Sequence, residues 1–539
     1  HWNLGPNLYS SSTQNQEKIK EISISFSQPI AKPTGVLALV GGRVVTMEAD
    51  GVIEDGVVLV EGNHILAIGK KGDVIIPANA TRIDLKGKTL IPGIIDTHAH
   101  QPNGTNGIIP QQNWSAYGTL AFGVTTMFNP NTFTEEVFGA AEMQKAGHML
   151  SPRIFSTGMS LYGAYEPGHT ALVNGIDDAR FHMDRLKRVG AFAIKMHHHP
   201  RREQYQQIIE AAAEYEMMVL SEGGALLQQD LGKIADGASS IEHSIALEKL
   251  YEDVYQFWSH SQAASIPTLV VSFGGFSGEN YWYEKTEVWK HPKLSKFVPQ
   301  DILAPRSMRR MMAPEHHYNH FNVVKTGKEM HDRGIMVGIG GHGQREGLAA
   351  HWEMWMMQQG GMTPMEALRA ATIVPARHLG LDKNLGSIKV GKLADLAVID
   401  GDVLFHGDAP SFGPLRRTRA LMTRSIKLTP RQATAIALAL ASHEAVAGDL
   451  TIRNDAVSSL RDKLELAIGG LPIQVRLEDA PLLNEVNVAI EGAKEIRVVY
   501  VNGEDVVTER VLHPLKIFVD RGESYLIADD IASGDSERV

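Results

Sequence analysis

Ile91-Pro92-Gly93-Ile94-Ile95-Asp96-Thr97-His98-Ala99-His100 is the stretch on which the fold turns. The apolar run from Leu90 to Ile95 reads as a buried strand, and residues two apart on a strand share a face, so His98 and His100 converge. Two imidazoles at the end of such a strand can hold one divalent ion, with Asp96 on the same face as an outer partner. A bare His-x-His also arises by chance or for packing. What gives the metal reading weight is the Pro-Gly entry and the place of the histidines at a strand's C-terminal end, where parallel barrels keep their sites.

The same stretch, PG-x-x-D-x-H-x-H, resembles the first barrel strand of the amidohydrolase superfamily, in its prolidase-like and imidazolonepropionase-like branch. The resemblance covers about residues 36–402. It implies an α/β chain in which a (β/α)8 TIM barrel is inserted in a small β-sandwich. The sequence supports this rhythm independently. Candidate strands at Val124 to Phe128, Arg153 to Thr157, Ala191 to Met196, Met217 to Leu220, Ser239 to Glu242, Pro267 to Val271 and Ile335 to Ile339 join the His98 strand to make eight. Helical stretches, among them Asp177 to Val189, Gln204 to Tyr215 and Thr363 to Leu379, fall between or after them. The expected domains are an N-terminal arm with one edge strand (1–34), a composite sandwich (35–90 and 385–402) and the barrel (91–384).

Composition fits a soluble globular protein. Of the 539 residues, 43% are apolar and 21% charged, which is too long a chain for one ordinary core and calls for two to four domains. A formal charge of −10 argues against a nucleic-acid binder taken whole. There is no cysteine, so disulfides and thiolate metal sites are excluded. No apolar run is long enough to span a membrane, so no membrane partner is expected. The chain opens at His1, which reads as a fragment or a processed product.

The strand ends carry the candidate chemistry. Lys195 ends the apolar run AFAIKMH, where a free ammonium is costly to bury. In several branches of the superfamily a lysine there is carboxylated by carbon dioxide and bridges two metals; the other reading is that Lys195 reaches solvent or pairs with an acid. His243 in SSIEHS matches the sixth-strand ligand histidine of the family, against the reading of a satisfied core histidine. Two positions depart from the pattern. Glu222 stands where many relatives have a histidine, and a carboxylate can also ligate zinc, manganese or iron. His342 stands in GIGGHG where the family's aspartate is expected, and it can serve as ligand or base.

The resemblance thus implies His98, His100, Lys195, Glu222, His243 and His342 as metal ligands, with Glu222 or His342 relaying protons. It implies one or two zinc, manganese or iron ions, and hydrolysis of an amide or cyclic amide C–N bond in a small molecule, with a dipeptide among the substrates. His197 to His199 are read as lining the barrel mouth or as plain loop, and Tyr162, Tyr165 and His169, after the third strand, as contacting substrate or as a structural loop. His316 and His320 read as a polar helix face, and Gly274 to Trp282 as a mobile substrate loop.

After Asp402 the character changes. A Pro/Gly linker from Gly407 to Pro414 leads to a basic cluster of Arg416, Arg417, Arg419, Arg424, Lys427 and Arg431. Helices are expected at Gln432 to Ala441 and Asp455 to Ile468, in a linker and helical segment spanning 403–468. Strands are expected at Gln474 to Leu477, Val486 to Ile490, Arg497 to Val501, Val506 to Val511, Lys516 to Val519 and Tyr525 to Ala528. From about 469 to 539 the chain resembles the WYL domain of bacterial transcription regulators, with Ser524-Tyr525-Leu526 at the name-giving triplet. That resemblance implies a ligand- or nucleic-acid-sensing module, beside either a working hydrolase or a silent barrel. A native WYL-like part implies a cytoplasmic protein, and a fragment of a propeller-linked amidohydrolase an exported one. A homo-oligomer is expected.

Overall fold

In this computed structural model the polar N-terminal stretch is a three-stranded antiparallel sheet, β1 (Trp2–Leu4), β2 (Asn7–Ser12) and β3 (Asn15–Ser23), in place of the single edge strand expected. Cross-strand pairs such as Leu8 with Ile22 run well ahead of the alternation that begins at Glu21. The structure describes residues 1–400 apart from 5, 6, 13, 14, 50, 199, 200, 225, 246, 309 and 310, then residues 419–420 and parts of 486–538. Two units separate, His1–Arg424 and Ser425–Val539.

Next come β4 (Val36–Val45), β5 (Val52–Glu61), β6 (His64–Lys70), β7 (Thr81–Asp84) and β8 (Lys88–Pro92). They share one sheet with two strands that arrive much later in the chain. Alternate residues Val58 and Val60 of β5 pack on Leu39, Ile65 and Leu90, a cluster that Ile388 and Leu396 complete from downstream. Each such side chain taken from water contributes about 1.5–3 kcal/mol.

The apolar run before His98 is two strands, because Gly93 breaks it. β8 stays in the small sheet, while β9 (Ile94–Asp96) opens a parallel one with β10 (Val124–Asn129) and β11 (Arg153–Ser156). A side chain at Gly93 would place its Cβ 2.0 Å from the Thr125 hydroxyl, so only glycine lets the chain pass. β12 (Ser160–Tyr162), β13 (Thr170–Leu172), β14 (Ala193–Met196), β15 (Met218–Glu222), β16 (Ser240–Glu242) and β17 (Ala264–Ile266) form a six-stranded parallel sheet, in the order β13-β12-β14-β15-β16-β17.

The continuous ring of eight strands is therefore not formed as a hydrogen-bonded ladder. Between β11 and β14 the short β12 intervenes, touching β14 through one register pair, Leu161 with Met196. The strand placed at Pro267 to Val271 lies earlier, at β17, and its tail is a 3-10 turn, Leu269–Val271. Ile335 to Ile339 gives only one isolated bridge, Ser265 with Val337, beside the bonds from Ser265 N to Met336 O (2.8 Å) and from Gly338 N to Ser265 O (3.1 Å). The cause is close approach: a Cβ at Gly340 would meet that of His98 at 2.8 Å, and such a glycine-rich segment gives up regular pairing.

β18 (Leu396–Asp400) returns to the small sheet antiparallel to β8, in register from Leu396 with Pro92 to Asp400 with Lys88, and β19 (Arg419–Ala420) adds to its edge. Arg153 on β11 donates two hydrogen bonds to Asp395, at 2.6 and 2.9 Å, tying the parallel sheet to this return.

Helices Ile176–Arg188 and Arg202–Glu214 stand where periodicity places them. Thr363 and Glu366 cap each other reciprocally, but the helix expected to run to Leu379 divides into Pro364–Ala370 and Ile373–His378. Pro375 has no N–H for the Ala371 carbonyl, which instead accepts from Ile95 N at 2.9 Å and so supports β9. The mobile loop expected at Gly274 to Trp282 runs into helix Gly278–Lys285, with Trp282 only 1% exposed beside Trp352. His316 lies in a 3-10 turn and His320 starts a separate helix, His320–Asp332; His320 is fully buried, not part of a polar face.

In the second unit β20 (Ile496–Val501), β21 (Val507–Asp520), β22 (Glu523–Asp530) and β23 (Ser536–Arg538) form an antiparallel meander. The two strands expected from Val506 to Val519 are one, with an irregularity between Pro514 and Lys516, where the proline ring removes a donor. Val486, Val488, Ala489 and Ile490 are helical, not a strand, and Gly492 N closes on Val488 O at 3.0 Å. The linker at Gly407 to Pro414, the helices at Gln432 to Ala441 and Asp455 to Ile468, the strand at Gln474 to Leu477 and the basic cluster other than Arg419 lie outside the described residues.

Candidate active site

Asp96 ends β9, and its carboxylate accepts from the backbone N–H of His98 (3.2 Å) and of Gly341 (2.9 Å). Complete burial pushes this carboxyl up to about 7. It thereby clamps the first strand to the glycine-rich segment that carries His342.

The His98 ring is buried, with Nδ1 2.7 Å from Glu242 Oε2. Burial, then the positive charge of Lys195, holds His98 well below the usual imidazole range. A neutral ring that gives its Nδ1 proton to Glu242 keeps its lone pair on Nε2. That Nε2 lies 3.1 Å from His100 Nε2. His100 is pushed down to about 4 and His342 to about 3, in both cases first by burial. The rings of His98 and His342 stack with centroids 5.0 Å apart. One ring nitrogen from each of His98, His100 and His342 falls within 4.8 Å of the others. Three neutral imidazoles with converging lone pairs suit a divalent ion of zinc type.

Lys195, Glu222 and His243 form an adjoining chain. Glu222 Oε2 lies 2.7 Å from Lys195 Nζ, and Oε1 lies 3.0 Å from His243 Nε2. Burial works to raise the Glu222 carboxyl, but Lys195 and His243 outweigh it and hold it well below the carboxylate range. His243 Nδ1 meets Thr268 Oγ1 at 2.7 Å, and its ring centroid lies 4.9 Å from that of His98. Lys195 is 2% exposed, so its side chain does not reach solvent and instead faces the Glu222 carboxylate.

Backbone shape aims these groups. His243 (φ +70°), Thr268 (φ +41°) and His342 (φ +56°) are all left-handed without being glycine. Each such residue costs about 1–2 kcal/mol, and such outliers gather at functional sites.

Sequence reading missed Glu242 and Thr268, which orient the two histidines, and the pair Asp230 and Lys233. Lys233 Nζ donates to the Glu222 carbonyl at 2.7 Å and to Asp230 Oδ1 at 3.2 Å, and Asp230 accepts from Gly224 N at 2.7 Å. The i,i+3 spacing of these two on a helix was the available signal. Of the residues placed at the mouth, His197 is half-buried with its ring 5.3 Å from Tyr162, His199 lies outside the described residues and Tyr165 is exposed. His169 lines a cleft of about 480 Å³ that begins at His100. His316 and His320 stand apart from the cluster; His320 Nε2 bonds Gln359 Oε1 at 3.1 Å.

Known proteins resemble this chain in sequence and in structure. A 5-methylthioadenosine/S-adenosylhomocysteine deaminase of Symbiobacterium thermophilum is 24% identical over 409 residues, covering 68% of this chain and 85% of its own. An imidazolonepropionase of the same organism is 22% identical over 409 residues, covering 70% and 93%. Among solved structures, a Xaa-Pro dipeptidase with methionine bound in its active site superposes with a TM-score of 0.51 at 20% identity, over 69% of this chain and 95% of that one. The Aspergillus niger ochratoxinase gives 0.52 at 16%, over 69% and 91%. The two structural likenesses show the fold alone. The WYL domain model matches residues 481–536. The amidohydrolase family model matches residues 89–430, and with that span this protein belongs to the amidohydrolase family, hydrolases of C–N bonds that typically bind a divalent metal.

Proposed function

We propose that this protein hydrolyses an amide or cyclic amide C–N bond of a small molecule with the help of one or two divalent ions, zinc before manganese or iron. One observation carries the reading: the ring nitrogens of His98, His100 and His342 converge within 4.8 Å, all three rings neutral. These three would hold the ion, with His243 and Glu222 beside them. When bound there, the ion lowers the pKa of a water and polarises the scissile carbonyl.

The protein's own part is orientation and proton handling. Glu242 keeps the His98 lone pair on Nε2, and Asp96 holds the His342 segment against β9 through Gly341. His342, held at about 3, serves better as a ligand than as a base. Glu222 is the group whose basicity can be switched. Its contact with Lys195 keeps it low, so drawing the ammonium away raises it toward the range of a proton acceptor. Carboxylation of Lys195 would do this directly, because it replaces the ammonium facing Glu222 with an anion. Glu222 then takes the proton from the attacking water and gives it to the leaving nitrogen.

The WYL match supports a ligand- or nucleic-acid-sensing role for the C-terminal unit beside the hydrolase, and the convergent donor set speaks against a silent barrel. Elemental analysis per chain before and after chelation tests the reading, together with turnover of a panel of linear and cyclic amides. About one to two equivalents of metal, lost from the His98→Ala/His100→Ala variant, are expected. Absence of tightly held metal after reconstitution defeats the proposal.

A further inference from the structure

The cleft beginning at His100 has a chemistry of its own. Five carboxamides line it: Gln101, Asn103, Asn106, Asn129 and Asn131. No lysine or arginine does, and the acidic side chain on its wall is Glu136, which accepts from Gly107 N at 2.8 Å. Gln101 is 5% exposed; its Oε1 accepts from Thr119 Oγ1 at 3.2 Å, while its Nε2 has no partner among the described residues. At the rim Phe133, 45% exposed, meets the ring of His169 edge to face with centroids 5.5 Å apart.

We infer that this cleft receives an uncharged planar ring bearing amide-type edges, a neutral nitrogen heterocycle, and not a carboxylate. Carboxamides offer donor and acceptor side by side, the pattern that pairs with a C(=O)–NH edge. The unpartnered Gln101 Nε2 calls for a ligand carbonyl, because a buried donor left unmade is costly. A half-exposed aromatic face at the rim suits a flat ring. Beyond its His100 end, a carboxylate entering here would shed its water with no lysine or arginine on the wall to meet it and Glu136 close by. This disfavours a dipeptide's free terminus as the occupant. The inference rests on the proposed function to the extent that His100 belongs to both the donor trio and the cleft.

Titration calorimetry of the full chain with uracil and with uracil-6-carboxylate tests this without turnover, because the two probes share one ring and differ by one anion. The neutral ring is expected to bind at least about tenfold more tightly. Phe133→Ala, a change at an exposed position, is expected to weaken ring binding by up to about tenfold with metal content unchanged. Equal or stronger binding of the carboxylated ring overturns the inference, and so does binding of neither ring. If neither ring binds while the protein still holds metal and cleaves a linear amide, the cleft assignment falls alone. If a ring binds but no metal is held, the hydrolase reading falls and the cleft assignment stands.

Discussion

Glu242 Oε2 lies 2.7 Å from His98 Nδ1, and this one contact decides which nitrogen of His98 faces His100. Partners of this kind set ligand basicity and orientation, and losing them weakens metal affinity by about 10–100-fold. Glu242→Gln keeps the side chain's shape and one acceptor but removes the charge. Competition with a chromophoric chelator is expected to show weaker zinc binding by at least about tenfold. Unchanged affinity means that Glu242 does not orient His98.

His342 sits at φ +56°, a conformation that glycine adopts without strain. Its side chain is half-buried with its ring stacked on that of His98, so the packing lost on its removal offsets part of the strain released. In chelated protein, His342→Gly is expected to raise the unfolding free energy by about 1 kcal/mol while abolishing part of the metal uptake. A destabilised, fully metal-loaded variant contradicts both halves.

Much of this was legible in the sequence for physical reasons. His98 and His100 converge because a strand's two-residue period is stiff, and β14 and β15 are largely apolar runs that read as buried strands. What was illegible depends on contacts remote in sequence. Ile335 to Ile339 looks like its neighbours yet does not ladder, because Gly340 must pass the Cβ of His98. His320 shows the same limit: nothing local reveals that Gln359 and a buried pocket await it. Left-handed φ at His243 and His342 leaves no trace in residues that ordinarily avoid it. Glu242 was passed over because a ligand candidate stood next to it.

Lys195 and Glu222 form a buried ion pair at 2.7 Å, so removing one charge strands the other. Lys195→Met is expected to destabilise the metal-free protein by about 3 kcal/mol. The double variant Lys195→Met/Glu222→Leu is expected to recover most of that, because no uncompensated charge remains. Urea unfolding of the wild type, both singles and the double gives the coupling energy. Simple additivity would show that the two side chains are not paired.

Glu353, wholly buried on helix Leu348–Gln359, accepts from Val270 N at 2.8 Å, yet burial outweighs that bond and pushes its carboxyl up to about 8 from an ordinary 4.5. Between those values the unfolded chain has released this proton and the folded chain retains it. The folded state binds more protons, so stability is fully present below about pH 4.5 and is lost as pH rises toward 8, by up to about 1.4 kcal/mol per pH unit. Glu353→Gln keeps an acceptor for Val270 N and has nothing to titrate. The difference in unfolding free energy between the variant and the wild type should therefore grow in the variant's favour from pH 5.5 to 7.5. Taking that difference cancels the slope of buried acids that do not interact with Glu353; Asp96, whose carboxyl lies at about 7, does interact and adds to the rise of Glu353. A difference that stays flat across this interval shows that Glu353 is ionised in the folded protein and that its charge is met by a partner other than the backbone.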